Sequence, residues 1–138
     1  MCPVYINRIA SIHAESRNEK PYFSAQEPDY KEMITNANLR RRMSRMIKMG
    51  VACGLECLKD IPSEKVDAII TATGLGCLAD TEKFMNALMD NREQMLNPTA
   101  FIQSTFNTVG AQLALLLKIH AYNVTYVPVS YTHLRAHE

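Results

Sequence analysis

Apolar residues recur along the chain with the two-residue period of strands in some stretches and with helical spacing in others. Runs rich in β-branched residues predict strands over residues 4–12, 66–73 and 123–127. The middle run, VDAIITAT, is almost wholly apolar, which is typical of a parallel strand covered on both faces. The polar residues 13–36 contain two prolines and predict a long surface connection, and connections of this length usually carry function.

Three longer stretches have the apolar spacing of helices, over residues 37–59, 80–91 and 104–119. Asn36 or Asn38 can cap the first helix. Gly50 and Gly54 lie on its apolar face, and each costs about 1 kcal/mol of helix stability relative to alanine. We therefore expect a neighbouring element to press closely against this face.

The two later helices complete an alternating pattern. Asp80 is the predicted start of the second helix, LNPTAF is a predicted turn, and Ser104 is the predicted cap of the third helix. The third helix is apolar nearly all round and carries Gly110, which suits tight packing inside a larger body. The order strand, connection, helix, strand, two helices, strand predicts a layered α/β domain.

Composition and charge exclude several classes of function. Of 138 residues, 47% are hydrophobic, so a packed core is expected rather than disorder. A net charge of +1 gives no electrostatic basis for binding nucleic acid or an anionic membrane. No apolar run reaches the ~18 residues of a spanning helix, and Arg8 interrupts the stretch that a signal peptide would keep apolar. We expect a cytoplasmic protein with reduced thiols.

Four cysteines are present without a C-x-x-C pair or zinc-finger spacing, at Cys2, Cys53, Cys57 and Cys77. Buried structural thiols are the favoured interpretation, because a free cysteine behaves as a small hydrophobic residue. A catalytic thiol among them is the alternative.

The stretch TATGLGCLADTEKF joins a predicted strand to a predicted helix. Gly74, Gly76 and Ala79 match the G-x-G-x-x-A fingerprint of dinucleotide binding in its proper context. With Asp80 as the helix cap, however, a carboxylate would compete with a phosphate for the free N–H groups. A tight turn supplied by glycine is the favoured interpretation, and a nucleotide-binding α/β module stays an alternative.

A cationic cluster occupies the stretch LRRRMSRMIKM. The side chains of Arg40, Arg41, Arg42 and Arg45 lie toward one side of the predicted helix. They form either a solvated face or a docking patch for an acidic partner. Nucleic acid is disfavoured because few aromatic residues are available for stacking on bases.

The C-terminal residues 128–138 differ in character from the rest. His133 and His137 have the i, i+4 spacing of metal ligands on a helix but lack a third ligand nearby. The DNA string GTCTCTTATACACATCTCCGAGCCCACGAG translates to VSYTHLRAHE, residues 129–138, and resembles a transposase sequencing adaptor. We expect native sequence over residues 1–127, a non-native tail after it, and no metal site.

Three motifs in order resemble the N-terminal part of β-ketoacyl synthases. The first two are LRRRMSRMIKMGVACGLECL and VDAIITATGLGCLADTEKF. The third matches the family pattern through Pro98, Phe101, Ser104, Asn107, Gly110 and Leu113. The chain is similar to the shorter synthase-like proteins of pigment and polyene clusters, including chain-length-factor-type partners.

The resemblance implies a thiolase-like layered fold, of which this chain supplies an incomplete N-terminal half with a mixed or parallel sheet. It implies acyl transfer from an acyl carrier protein to a cysteine thiolate placed shortly after the strand 123–127, with later histidines assisting condensation. Ser130 falls near that place, but it belongs to the tail that we expect to be non-native. No residue here is therefore assigned as catalytic, and no cofactor is expected. Implied partners are the carrier protein and a synthase-type dimer partner. A non-catalytic chain-length-factor-type subunit is the alternative.

The motif positions are expected to be structural rather than reactive. They are Gly74, Gly76, Ser104, Asn107 and Gly110. The arginine cluster is the candidate docking patch for the carrier protein.

Overall fold

Two parallel strands and six α-helices make up the described part of the computed structural model, which covers residues 3–13 and 25–127. The first three helices are α1 (Tyr30–Met33), α2 (Ala37–Arg42) and α3 (Arg45–Leu58). A 3-10 turn at Ser63–Lys65 leads to strand β1 (Ala68–Ala72). Then follow α4 (Leu78–Asp90), α5 (Pro98–Ser104), α6 (Thr108–Leu117) and strand β2 (Tyr122–Tyr126).

The strands β1 and β2 pair in parallel, with Ala68 opposite Tyr122 and Ala72 opposite Tyr126. The strands predicted over 66–73 and 123–127 and their parallel arrangement are confirmed. One face of this sheet packs on α6 and buries Ile69. The expectation that β1 is covered on both faces is wrong for the described residues, because Ile70 on the other face is 66% exposed.

The predicted helix 37–59 is two helices. Met43 and Ser44 have extended backbone, with ψ of 132° and 171°, and this interrupts the helical ladder between α2 and α3. Met43 is 4% exposed and belongs to the core, whereas Arg41 and Arg42 on α2 stay exposed. The helix α3 then starts again after Ser44, which makes no side-chain cap bond.

Of the three helix starts predicted from the sequence, one is confirmed and two are wrong. Asn36 caps α2, since its Oδ1 accepts from the N–H groups of Asn38 and Leu39. The expectation that Asp80 begins the next helix is wrong, because α4 begins at Leu78 with Cys77 at its N-cap. Asp80 lies instead in the first turn of α4 and is buried.

Ser104 does not cap the third predicted helix. It is the last residue of α5, and α6 begins at Thr108 after Asn107 at its N-cap. The stretch predicted as a turn, LNPTAF, already contains the start of α5. Asn97 Oδ1 accepts from Thr99 N over 2.9 Å and Pro98 occupies the first helical turn, so both signals favour a helix start.

Close contact between α3 and α6 confirms the expectation raised by two glycines. A Cβ atom on Gly50 would lie 2.6 Å from Val109 Cγ1, and one on Gly54 would lie 2.7 Å from Leu113 Cδ2. On its opposite side α6 meets the sheet, where a Cβ on Gly110 would lie 2.9 Å from Asn123 Oδ1. The helix α6 is therefore the middle of three layers, and the predicted layered α/β arrangement is confirmed.

Residues 3–13 form no strand, so the predicted strand 4–12 is wrong in this structure. Val4 is 95% exposed and Ile6 is 79% exposed. A strand needs a neighbour for its backbone groups, and in the described residues the two strands pair with each other. Arg8 instead anchors the segment, since its Nη2 lies 2.6 Å from Asp60 Oδ2.

The predicted surface connection 13–36 is only partly described, because residues 14–24 lie outside the described ranges. Its remainder includes α1, and the N–H of Gln26 donates to the carbonyl of His13 over 3.2 Å. Within the described ranges, no single helix is long and apolar enough to cross a membrane. The bent pair α5 and α6, with a 108° turn, meets that test by length and composition only.

Candidate functional site

The candidate site lies where the chain leaves the two parallel strands. Directly after β1, the N–H of Thr73 donates to the carbonyl of Tyr126 over 3.0 Å. This bond joins the carboxyl ends of β1 and β2. In open α/β sheets, ligands bind beyond the carboxyl ends of the strands. The turn between β1 and α4 is therefore the natural edge of a site.

The turn requires glycine at one of its two glycine positions. Gly76 has φ of +61°, and a Cβ there would lie 2.7 Å from Phe106 Cδ1. Its N–H donates to Thr73 Oγ1 over 2.9 Å, which closes the turn. Gly74 is different, because a Cβ there would meet no atom within 4 Å. The favoured interpretation of a glycine-supplied turn thus holds at Gly76.

One of the arguments against dinucleotide binding, the expected helix start at Asp80, no longer holds. The helix α4 begins immediately after the glycine turn, as the fingerprint requires, and not at Asp80. The side chain of Asp80 is nevertheless 8% exposed in the first turn of α4, and its Oδ2 has no hydrogen-bond partner among the described residues. A phosphate at this helix start would meet an unpaired carboxylate. Exposed Leu75 and Leu78 add no phosphate ligand.

Two of the described thiols, Cys53 and Cys77, lack the environment of a nucleophile. Burial raises the pKa of Cys77, and the nearby Asp80 carboxylate raises it further. Burial also raises the pKa of Cys53, with a smaller effect of Cys57. A raised pKa keeps these thiols protonated at neutral pH, whereas a nucleophilic cysteine needs its thiolate. These features support structural thiols; Cys2 lies outside the described residues.

Two of the remaining motif positions take part in hydrogen bonds that involve the main chain. Ser104 Oγ donates to the carbonyl of Phe101 over 2.7 Å. The carbonyl of Gly110 accepts from Asn123 Nδ2 over 3.1 Å. Asn107 is exposed and makes no side-chain cap bond.

One buried polar residue in this region was missed from the sequence. Thr108 is 2% exposed, its Oγ1 donates to the carbonyl of Ile102, and it lies 2.9 Å from Thr105 Oγ1. The bonds tie the start of α6 to the end of α5. The pair of threonines three residues apart was the available signal, because i, i+3 side chains are neighbours at a helix start.

The four arginines do not form one uniform surface. Arg40 is half-buried, and its Nη1 donates to the carbonyl of Ile34. Arg41 and Arg42 are exposed; Arg41 Nη2 lies 3.4 Å from Asn38 Oδ1.

Arg45 belongs to a separate contact. Its Nε lies 2.5 Å from Glu27 Oε1, and the hydroxyl of Tyr30 donates to Glu27 Oε2 over 2.7 Å. These two hydrogen bonds lower the pKa of Glu27, the Tyr30 bond more than the Arg45 bond. The cationic cluster thus comprises three exposed arginines, of which Arg45 is paired with a carboxylate of its own chain, and the half-buried Arg40.

Within the described residues, no group of three histidine, cysteine or acidic side chains is arranged to hold a metal ion. His133, His137 and Ser130 lie outside those residues, as does the whole predicted tail 128–138.

Comparison with known proteins adds a family and a fold. Residues 13–127 match the family model described as "Beta-ketoacyl synthase, N-terminal domain". No curated protein sequence matches the chain. Among solved structures, the chain is similar to one chain of the complex of the ketosynthase ApeO with its chain length factor ApeC from Xenorhabdus doucetiae, with a TM-score of 0.59 and 20% identity. The match covers 87% of this chain and 48% of that chain, so the chain spans about half of that relative. At this identity the likeness shows the fold, a part of the thiolase-like arrangement.

Proposed function

Because the chain belongs to the β-ketoacyl synthase N-terminal domain family, we propose that it is part of a protein that condenses acyl groups carried on an acyl carrier protein. The product would be a β-ketoacyl thioester of the fatty-acid or polyketide type. One observation carries the proposal beyond family membership. The hydrogen bond between Thr73 and Tyr126 brings the exit of β2 beside the glycine turn.

In the proposed mechanism a cysteine thiolate attacks the thioester carbonyl of the carrier-bound acyl chain. The thiol of the carrier leaves, and the chain stays bound to the cysteine as a thioester. Loss of carbon dioxide from a second, carboxylated thioester then supplies a carbanion, which attacks the carbonyl of the cysteine-bound acyl group. The new C–C bond replaces the bond to sulfur, and the cysteine leaves as the thiolate. Backbone N–H groups stabilise the oxyanion in each addition.

The residues of this chain contribute the scaffold of that site rather than its reacting groups. The resemblance implies a nucleophile shortly after the strand that corresponds to β2. We infer that it would lie near the turn of Gly76, because the Thr73–Tyr126 bond joins that turn to the end of β2. The raised pKa values of Cys53 and Cys77 argue against either thiol as a substitute. We therefore expect this chain to form no acyl-enzyme by itself.

A non-catalytic partner subunit is the second candidate. The similar solved structure is a ketosynthase with its chain length factor, and both kinds of subunit would need the scaffold described above. The two candidates differ in the residue that follows β2. A gene recovered from an independent clone with a cysteine codon a few residues after Val127 supports the synthase, and its absence supports the partner subunit.

Acyl transfer tests the proposed function directly. The protein encoded by that independent clone would be incubated with acylated carrier protein and examined by mass spectrometry. A synthase gains the mass of the acyl group on the cysteine and loses it when a carboxylated carrier thioester is added. A protein that has the cysteine but is not acylated by any carrier-bound chain would contradict the synthase assignment.

Docking of the carrier protein is proposed at the cationic cluster of Arg40, Arg41, Arg42 and Arg45. Within it, Arg41 and Arg42 are exposed, whereas the exposed Arg45 is paired with Glu27 and Arg40 is half-buried. Carrier binding that depends on these charges should weaken with salt. The alternative for the cluster is a solvated face.

The docking experiment compares two double charge reversals that change the net charge of the protein by the same amount. Arg41→Glu with Arg42→Glu should weaken carrier binding and flatten its dependence on salt. Lys65→Glu with Lys83→Glu, two exposed lysines on other elements, is the matched control and should have little effect. Reversal of all four arginines without a change in affinity or salt dependence would contradict the proposed patch.

A further inference from the structure

Arg45 is held by a carboxylate of its own chain. Its Nε lies 2.5 Å from Glu27 Oε1, although the two residues are 18 positions apart. The Arg45 side chain is 66% exposed, whereas that of Glu27 is 24% exposed. The acidic member is therefore the more enclosed partner, and the outer part of the guanidinium remains open to solvent.

Glu27 is itself fixed in place. The hydroxyl of Tyr30 donates to its second oxygen over 2.7 Å, and α1, which contains Tyr30, packs against α3. These contacts, Tyr30 first and then Arg45, lower the pKa of Glu27, with a further contribution from the charge of Lys48. Glu27 therefore remains ionised throughout the neutral pH range. A fixed anion thus stands within the cationic cluster.

We propose that Glu27 is an intramolecular competitor that occupies Arg45 and restrains the binding of an acidic partner to the cationic cluster. The inference rests on the carrier-docking proposal above for the identity of that partner. A partner carboxylate can use Arg45 fully only by displacing Glu27, whereas Arg41 and Arg42 are exposed in the free chain. The competition would favour partners with several well-placed carboxylates over weakly acidic ones.

Binding measurements on single and double variants of the full chain test this competition. Glu27→Gln should tighten binding of an acidic acyl carrier protein about two- to fivefold at low ionic strength, the range of exposed ion pairs. In an Arg45→Gln background the same change should have no effect, because the arginine to be released is gone. Tyr30→Phe should give an intermediate gain by loosening Glu27.

Glu32→Gln is the matched control. Glu32 is an exposed carboxylate of α1, and its substitution removes the same charge as Glu27→Gln. Equal tightening by Glu27→Gln and Glu32→Gln would reduce the effect to net charge and overturn the inference. So would a gain from Glu27→Gln that persists without Arg45. Circular dichroism on each variant establishes that the fold is intact, and Tyr30→Phe replaces Glu27→Gln if the latter unfolds.

A second probe separates this inference from the proposed function. A polyglutamate peptide supplies carboxylates without the carrier fold. If Glu27→Gln binds polyglutamate more tightly than the wild type, the competition is supported. If no variant binds carrier protein in the same experiment, the carrier assignment is contradicted while the competition stands. Unchanged binding of both probes by Glu27→Gln would overturn the competition whatever the carrier does.

Discussion

Gly76 lies against the ring of Phe106: a Cβ built on the glycine would be 2.7 Å from Cδ1 of that ring. The contact joins the turn after β1 to the connection between α5 and α6. Because Gly76 also has φ of +61°, both its backbone and its surroundings exclude a side chain. The conformation of this turn therefore depends on glycine at position 76.

Gly76→Ala should destabilise the protein by about 1 to 3 kcal/mol, from left-handed backbone strain together with the clash against Phe106. Urea unfolding followed by circular dichroism measures the change. Gly74→Ala is the matched control two residues away. A Cβ there meets no atom within 4 Å, so its effect should stay within about 0.5 kcal/mol. Equal effects at both positions would contradict the structural distinction.

Gly50→Ala tests the contact between α3 and α6. Alanine gains about 1 kcal/mol in helix propensity, but its Cβ would lie 2.6 Å from Val109 Cγ1. Valine is stiff in a helix, so the overpacking, typically about 1 to 3 kcal/mol, should exceed the gain. We expect a net loss of roughly 0.5 to 2 kcal/mol in urea unfolding.

The double variant Gly50→Ala with Val109→Ala supplies the control for that contact. Removal of the two valine methyl groups opens the space that the new Cβ needs. The glycine substitution should then be neutral or stabilising when it is compared with Val109→Ala alone. Strict additivity of the two changes would show that Gly50 and Val109 do not compete for space.

Local periodicity and small residues were sufficient to predict much of this fold. The two paired strands, their parallel arrangement and the close neighbour of Gly50 and Gly54 followed from patterns in short stretches. The strand predicted over 4–12 failed because a strand exists only with a partner, and pairing is not a local property. The break at Met43 and Ser44 was missed because the apolar residues keep the same helical spacing from α2 through the break into α3.

The candidate site was less predictable than the fold. The resemblance identified the turn at Gly76, but the start of α4 was misplaced because Cys77 carries no capping signal. The arginines seemed equivalent only in sequence: the contact of Arg45 with Glu27 bridges 18 positions and that of Arg40 reaches Ile34. Such differences arise from tertiary packing, which a helical repeat does not encode.

Cys77 should react slowly with alkylating reagents. It is 4% exposed, and burial and Asp80 both raise its pKa. The folded state therefore favours the neutral thiol, and the resulting stability is present below the pKa of the unfolded thiol, about 8.5. This contribution is lost as the pH rises through the higher pKa of the folded state.

Mass spectrometry after iodoacetamide treatment identifies the modified cysteines in the native and the urea-unfolded protein. We expect Cys77 to be protected in the native protein and to react after unfolding. Cys77→Ala should remove part of the fall in stability above about pH 8.5. Rapid native alkylation of Cys77 at neutral pH would contradict its burial and would reopen the alternative of a reactive thiol.

The Glu27 contacts should make stability depend on acid in a defined direction. The pKa of Glu27 is lowered by the hydrogen bonds from Tyr30 and Arg45, so the folded state binds a proton less readily than the unfolded state. The stabilisation is therefore fully present above the unfolded pKa of about 4.3 and is lost as the pH falls through the lower folded value.

Glu27→Gln, which cannot ionise, should lose less stability between neutral pH and about pH 3 than the wild type. Glu32→Gln removes a carboxylate with no such contacts among the described side-chain hydrogen bonds, and its loss should match the wild type. Urea midpoints at the two pH values give the comparison, and an identical acid loss in wild type and Glu27→Gln would show that the ion pair does not stabilise the folded chain.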